Sequence, residues 1–442
     1  MVVWATFKPV VEGDGVGYYS WQHSLLVDHD LDFANEYQAA FDARVTVNPE
    51  HLSTRTGPGG HLADFFPIGP ALLAAPAYLA ALVPAPSGRP LFGPPFTWSF
   101  ALASLAYGLL ALALAYRLAL RLAPAPRAAL VGVLAAALAT PFAYYLVYEP
   151  SYSHTFSAFA VGLFLWAWWR DRDARGLAGW VLLGLLGGLM ALVRFQDGPL
   201  LAIALLDLRQ ARWRVLLLLP GALLAFAPQL LADLYLFGTW LPQRPAGQDL
   251  QPLAGHYFQV LVSSWHGWLT WTPIVVVAGA GIALLRRPAF QAAAAYAFLV
   301  ELALNGAAPD WWGGYAFGAR RFLDLSPFVV VGLAAVAARL PGWVAGAGAA
   351  IFAGWNLLLV ANLTYVIRAD RDPGFRGLLA GQLEAVRHLP NLFAQGEVVR
   401  DLVLWPVLGK PFAPLAGLSL AVVEAACLLA AVAVAGNLSR VR

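Results

Sequence analysis

The chain has 442 residues, of which 60% are apolar and 12% charged, and its mean hydropathy is +0.65. Ordinary globular chains carry roughly 25% charged residues, so a soluble fold could not bury this much apolar surface and the surrounding solvent must be lipid. A single cysteine, Cys427, excludes a disulfide scaffold, and the small, dispersed net charge of +3 gives no support for nucleic-acid binding.

The first 96 residues are predicted to form a long polar loop on the extracytoplasmic side. Residues 1–11 are apolar but too short to cross a hydrocarbon layer of ~30 Å, and no signal-peptide pattern appears. We therefore expect a first transmembrane span upstream of this chain. The apolar run 65–84 contains four prolines, which favours an interfacial or re-entrant helix over a straight span.

Apolar runs of membrane length then recur down the chain, near 97–116, 128–147, 154–169, 177–193, 215–236, 268–285, 289–304, 322–338, 343–366 and 415–435. A shorter run at 198–206 is predicted to be a broken helix. The fold class is therefore an all-α, polytopic transmembrane bundle of about 10–12 spans. Its predicted parts are the first loop 1–96, a transmembrane core 97–366 with short outer loops, an outer loop 367–414, and a last span with a cytoplasmic C-terminus in 415–442.

Arginine clusters in short loops set the predicted orientation, because such clusters mark the cytoplasmic side. They alternate with arginine-poor loops only if 198–206 crosses the membrane and 65–84 does not. All eight histidines then fall on or at the border of the opposite side: His23, His29, His51, His61, His154, His256, His266 and His388. This distribution predicts a polar working site on the outer face.

The first loop contains the strongest candidate for a general base. Asp14 lies between Gly13 and Gly15, which permit a tight bend and close approach of a ligand. A helix-capping role for Asp14 is the alternative. Further on, Asp28, Asp30 and Asp32 alternate as in a metal-binding loop, but the EF-hand pattern fails, and an acidic turn that caps a helix is favoured.

Four stretches resemble the GT-C superfamily of integral membrane glycosyltransferases, nearest to bacterial proteins related to protein O-mannosyltransferases and lipid A aminosugar transferases. In chain order they are residues 13–37 (from Gly-Asp-Gly), 66–76 (Phe-Pro-Ile-Gly-Pro), 149–154 (Glu-Pro to Ser-His) and 311–322 (Trp-Trp-Gly-Gly to Arg-Arg-Phe). In this superfamily an acid in the first outer loop is essential, and Asp14 matches its position. Glu149 matches the second acid, although many relatives have Asp there.

The resemblance implies transfer of a sugar from a polyprenyl-phosphate donor to a glycan, lipid or protein acceptor in the cell envelope. It places the enzyme in the plasma (inner) membrane of a prokaryote, as a multi-pass protein with an extracytoplasmic active site. No cofactor is certain, and a divalent metal stays open because relatives differ. Asp14 and Glu149 are the predicted catalytic residues. The predicted substrate-binding residues are Tyr18, Tyr19, His154, Arg194, His256, His266, Arg320 and Arg321.

Several of these side chains could instead have a purely structural role. Arg194 could extend to the membrane interface or pair with Asp197, Arg320 and Arg321 could belong to an interfacial belt, and a histidine at a span end is commonly structural. Glu301 and Glu424 lie inside predicted spans, where an acid is costly. A transporter or flippase of lipid-linked sugars is the alternative function, and a non-catalytic assembly partner is a third.

Overall fold

The structure is a computed structural model that describes residues 7–45, 55–56, 60–83, 90–244 and 249–389. The predicted last span 415–435, with Glu424 and Cys427, lies outside the described residues, as does most of the predicted outer loop 367–414. The α-helices are α1 (Asp14–His23), α2 (Ala34–Asp42), α3 (Gly69–Leu82), α4 (Phe96–Leu122), α5 (Pro126–Leu138), α6 (His154–Arg170), α7 (Leu177–Val193), α8 (Leu208–Ala211), α9 (Leu218–Phe237), α10 (Tyr257–Val262), α11 (Trp268–Trp271), α12 (Ile274–Leu284), α13 (Pro288–Ala307), α14 (Ser326–Ala337), α15 (Gly342–Tyr365) and α16 (Gly374–Ala385).

The described part of the chain is 73% helical and has almost no strands, which confirms the predicted all-α fold class. Within it, two short strands, Arg55–Thr56 and His61–Leu62, pair antiparallel. The other helical segments are 3-10 or π-helical: Ser24–Asp28, Tyr144–Tyr148, Phe195–Asp207, Arg212–Leu217, Pro252–Ala254, Arg320–Leu325 and Val386–His388.

Four helical stretches among the described residues are long and apolar enough to cross a membrane: Phe96–Leu122, Phe195–Phe237, Pro288–Ala307 and Gly342–Tyr365. Several other predicted spans are interrupted. The predicted span 128–147 is helical only to Leu138 before a turn and a π-helical turn, and 268–285 divides into α11 and α12 around Pro273. Proline lacks the N–H that an unbroken helix needs, which accounts for the second break.

The 13-residue 3-10 segment Phe195–Asp207 runs from one end of the bundle to the other. Asp197 accepts a hydrogen bond from Ser157, near the start of α6, whereas Asp207 accepts one from Trp168, near its end. At ~2.0 Å per residue a 3-10 segment of this length extends roughly 26 Å. The segment therefore runs alongside α6, and the membrane crossing that the arginine pattern requires of 198–206 stays a prediction.

Helix α3 has 14 residues and contains Pro76. Its first residue, Gly69, packs against the backbone of Leu192 and Val193. Its last turns bring Tyr78 against Tyr19 and Phe96, which are also at the end of the bundle where α6 begins. These contacts lie near the end of the bundle where α6 begins, and the interfacial or re-entrant character of the run 65–84 stays a prediction.

Candidate functional site

An ion pair joins two segments that are far apart in sequence. Asp14 is the first residue of α1, and its Oδ2 lies 2.7 Å from Nη1 of Arg320, at the start of the 3-10 turn Arg320–Leu325. Gly13, not Asp14, occupies the N-cap position, so the capping role considered for Asp14 is wrong. The Asp14 side chain is 39% exposed and that of Arg320 only 10%, so water reaches the acid while the cation is enclosed.

The two glycines beside Asp14 allow this approach. Gly13 has φ +57°, in the left-handed region that favours glycine, and a Cβ there would overlap the Tyr152 hydroxyl. A Cβ at Gly15 would overlap the side chain of Ser151. The backbone on both sides of Asp14 therefore packs directly against the loop that precedes α6, whereas the sequence analysis expected these glycines to admit a ligand.

Aromatic side chains enclose the arginine of this pair. The Arg320 guanidinium lies 4.8 Å from the centroid of the Tyr152 ring. Burial alone would lower the pKa of Arg320, but Asp14 and the nearby tyrosines raise it above its ordinary value, so the group stays charged. Tyr18 lies beside Ser153 and within electrostatic reach of both Asp14 and Arg320.

Glu149 lies in the same loop as Tyr152 and is buried. Tyr144 donates a hydrogen bond of 2.9 Å to its Oε1, and no described residue is a partner for its Oε2. Burial raises the pKa of Glu149 to about 7, with smaller opposing effects from Tyr144 and Arg320. At neutral pH this second acid is thus divided between its neutral and charged forms.

A second arginine approaches from α7. Arg194 Nη1 lies 3.0 Å from Nδ1 of His154, whose ring stacks on Tyr152. Arg194 is only 7% exposed, so it does not extend to the interface. It forms its bond with His154 rather than the Asp197 partner considered from sequence. For His154 Nε2, the described part of the chain offers no hydrogen-bond partner.

The structure therefore brings six predicted residues together: Asp14, Tyr18, Glu149, His154, Arg194 and Arg320. We call this set the outer cluster. Two positively charged groups, two acids and a histidine face one another where α1, α6, α7 and the 320–325 turn meet. Such an arrangement can hold a phosphate and activate a hydroxyl or an amine.

Four predicted substrate-binding residues lie outside the outer cluster: Tyr19, His256, His266 and Arg321. Tyr19, one residue round α1 from Tyr18, is fully buried in an aromatic core, and its hydroxyl donates to Leu91 O. His256 packs on Trp311. Arg321 pairs with Asp310 at 2.5 Å, since adjacent residues of a 3-10 turn point in different directions.

His266 is buried outside the outer cluster, and its ring bonds to the protein backbone. Its Nδ1 bonds to Trp312 O at 2.8 Å, its ring packs against Trp271, and its backbone has φ +61°. Burial lowers the pKa of His266 to about 4, so the ring is neutral near pH 7. This is the structural role considered for span-end histidines.

Two residues of interest escaped the sequence reasoning. Tyr152, which contacts Arg320, lies between the predicted residues Glu149 and His154, and that position was its only signal. Asp324 is fully buried one turn after Arg320 and faces Asp197 and Glu301. No motif marked it, because three acids from separate segments meet only in the folded chain.

Two groups of side chains among the described residues could hold a metal ion: His23–Asp28–Glu36 and Asp197–Glu301–Asp324. The alternating acids of the first loop do not converge. Asp30 accepts from Ser24, and Asp32 accepts backbone N–H bonds from Ala34 and Leu62. The N-cap residue of α2 is Phe33, with no side-chain cap bond, so the favoured interpretation of an acidic turn that caps a helix stays a prediction.

Fold and outer cluster together define a helical membrane protein with a polar centre at one end of its bundle. The chain is similar to the crystal structure of ArnT from Cupriavidus metallidurans in the apo state, with a TM-score of 0.50 and 17% sequence identity over 90% of this chain and 72% of that chain. No family model and no curated protein matches the chain. The likeness shows that the chain has the ArnT fold, as the resemblance to GT-C proteins predicted.

Proposed function

We propose that this protein is an integral membrane glycosyltransferase that moves a sugar from a polyprenyl-phosphate donor to a cell-envelope acceptor on the extracytoplasmic face. The observation that carries the proposal is the Asp14–Arg320 pair, in which a water-accessible carboxylate lies against an enclosed guanidinium. The ArnT fold supports the same class of reaction. The proposed location is the plasma membrane of a prokaryote.

In the proposed reaction, the acceptor oxygen or nitrogen bonds to the anomeric carbon while the bond from that carbon to the phosphate oxygen breaks. Asp14 takes the acceptor proton. The electron pair of the broken bond goes to the phosphate, which is a weak base and needs positive charge more than a proton. Arg320 and Arg194 would supply that charge, and the planar, permanently charged guanidinium suits two phosphate oxygens at once.

The other members of the outer cluster have supporting roles in this proposal. His154 Nε2, which has no partner in the described residues, is available to a phosphate or sugar oxygen. Tyr18 and Tyr152 offer ring faces and hydroxyls to the sugar. Glu149 is the second acid of the outer cluster, and its neutral form would not repel the donor phosphate.

The substitution Asp14→Asn tests the proposal. It preserves shape but removes the basic charge, so turnover should fall roughly 10²-fold or more, the usual scale for loss of a general base. Donor binding should stay near normal, because the proposed phosphate ligands are other residues. Asp42→Asn is the matched control, since Asp42 is an exposed acid of the same loop bonded to Gln38.

Transfer should be measured in proteoliposomes with labelled polyprenyl-phospho-sugar. If Asp14→Asn and Asp42→Asn both retain wild-type turnover, Asp14 is not the base, and Glu149 becomes the first candidate. Movement of the donor across the bilayer without any transfer would instead indicate the flippase alternative. Transporters tend to hold their polar sites near the midplane, whereas the outer cluster lies where α6 begins, which supports the transferase.

A further inference from the structure

A second polar group lies deeper in the bundle than the outer cluster. Asp197, Glu301 and Asp324 come from the 3-10 segment Phe195–Asp207, α13 and the 320–325 turn, and all three are fully buried. One oxygen from each lies within 4.8 Å of the other two. We call these residues the inner acidic triad.

Neutral side chains donate hydrogen bonds to one carboxylate oxygen each of Asp197 and Glu301. Ser157 donates to Asp197 Oδ2 at 2.6 Å. Gln196 and Asn305 each donate to Glu301 Oε2 at 3.0 Å. Four oxygens remain without a hydrogen-bond partner in the described part of the chain: Asp197 Oδ1, Glu301 Oε1 and both oxygens of Asp324. In Asp197 and Glu301, one carboxylate oxygen accepts hydrogen bonds and the other has no partner among the described residues. Neighbouring donors orient metal-binding carboxylates in the same way.

The charged side chains around the triad also leave room for a bound cation. Arg194 is within electrostatic reach of the triad, but its guanidinium bonds to His154. Arg320 pairs with Asp14 and Arg321 with Asp310. Among the described residues, therefore, no cationic side chain forms an ion pair with any of the three acids. Three buried carboxylates without a bonded cation are very costly in an apolar bundle.

We propose that the inner acidic triad binds a hard divalent cation, of the class of Ca²⁺, Mg²⁺ or Mn²⁺. The ligand set is oxygen only and rich in carboxylate, which suits these ions, and it lacks the nitrogen and sulfur ligands typical of zinc. The unpartnered, buried Asp324 carboxylate, which faces the other two acids, is the observation that carries the proposal.

A cation at this place would position the outer cluster rather than take part in the reaction. Asp324 lies in the turn that begins at Arg320, and Asp197 follows Arg194 by three residues. A bound ion would therefore join the segments that hold both arginines. This role does not require that the protein transfers sugar, and it can be tested by binding and stability alone.

The test uses the full chain, purified in detergent, stripped with EDTA and titrated with Mn²⁺ followed by electron paramagnetic resonance. Wild type should bind Mn²⁺ at the triad, and Ca²⁺ or Mg²⁺ should compete. Asp324→Asn should remove this binding. Ser157→Ala, which removes only the bond to Asp197, should weaken it ~10–100-fold, the usual effect of a lost second-shell bond. The control Ser99→Ala loses a similarly buried hydroxyl, bonded to Phe96 O, and should bind normally.

The group His23–Asp28–Glu36 needs its own control, so the titration is repeated in His23→Gln, in which triad binding should persist. Unfolding temperature gives a second readout that needs no variant: EDTA should lower it in wild type, and Mn²⁺ should restore it. If folded wild type binds none of the three ions and EDTA leaves its unfolding temperature unchanged, the proposal is wrong, and the three acids share protons instead.

Discussion

Arg320 and Arg321 are adjacent in sequence but differ in environment, and this difference decides what each can do. Arg320 is enclosed beside Asp14 and Tyr152, with its Nε lacking a partner among the described residues. Arg321 is more exposed and bonds to Asp310. The sequence offered no reason to separate the two, since both follow the same Trp-Trp-Gly-Gly motif.

We expect Arg320→Lys to weaken donor binding by about 1–3 kcal/mol, because a point charge replaces a guanidinium that can make two charge-assisted bonds. Lysine keeps the charge opposite Asp14, so the fold should be retained. Arg321→Lys is the matched control and should change donor affinity little. Equal losses in the two variants, measured by equilibrium binding of the labelled donor, would contradict the placement of the phosphate beside Arg320.

Glu149 should make folding stability depend on pH. Burial raises its pKa from 4.5 in the unfolded chain to about 7 in the folded protein. Between these values the folded state binds more protons, so stability falls as pH rises from about 4.5 to about 7 and then levels off. Glu149→Gln should lack this contribution. Unfolding temperatures of both proteins at pH 5 and pH 8 check it: the variant should gain on wild type at the higher pH, and a constant difference would oppose the assignment.

At the scale of elements, close backbone packing before α1 sets the position of Asp14. Gly13 and Gly374 both have positive φ, +57° and +63°. A Cβ at Gly13 would overlap Tyr152, whereas a Cβ at Gly374 would have no heavy atom of the described residues within 4 Å. Substitutions at the two glycines therefore distinguish the effect of backbone strain from the effect of close packing.

Gly13→Ala should lower turnover and unfolding temperature clearly more than Gly374→Ala. Both variants carry the cost of positive φ, more than about 0.4–1 kcal/mol, but only the first displaces the Tyr152 loop. Transfer assays and thermal unfolding of the two variants provide the comparison. Similar effects in both would mean that the Gly13–Tyr152 contact does not position the site.

Much of the helical pattern could be predicted, because long apolar runs must be helical in lipid. The breaks were harder. Tyr144–Tyr148 continues the predicted apolar run, and nothing in its sequence signals a π-helical turn. The same holds for the site. Asp14 and Glu149 stand out in polar loops, but Asp197, Glu301 and Asp324 lie in three segments, and only folding shows that they meet.

At the scale of the whole molecule, the polar groups divide between the two ends of the bundle. The outer cluster lies where α6 begins. At the other end of α6, Asp207 accepts bonds from Trp168, Arg172 and Arg175, within the arginine-rich region predicted to be cytoplasmic. An acid enclosed by two arginines and an indole would fix this end of the 195–207 segment.

The last prediction tests which end faces outward. In a Cys427→Ser background, which leaves no native cysteine, single cysteines replace the exposed residues Gln38 and Asp173. Gln38 belongs to α2 in the first loop, whereas Asp173 lies beside the Asp207 network. A membrane-impermeant maleimide should label position 38 in intact cells and position 173 only after permeabilisation, because arginine-rich loops stay in the cytoplasm. Labelling of position 173 in intact cells, with position 38 protected, would place the outer cluster in the cytoplasm and exclude the proposed extracytoplasmic transfer.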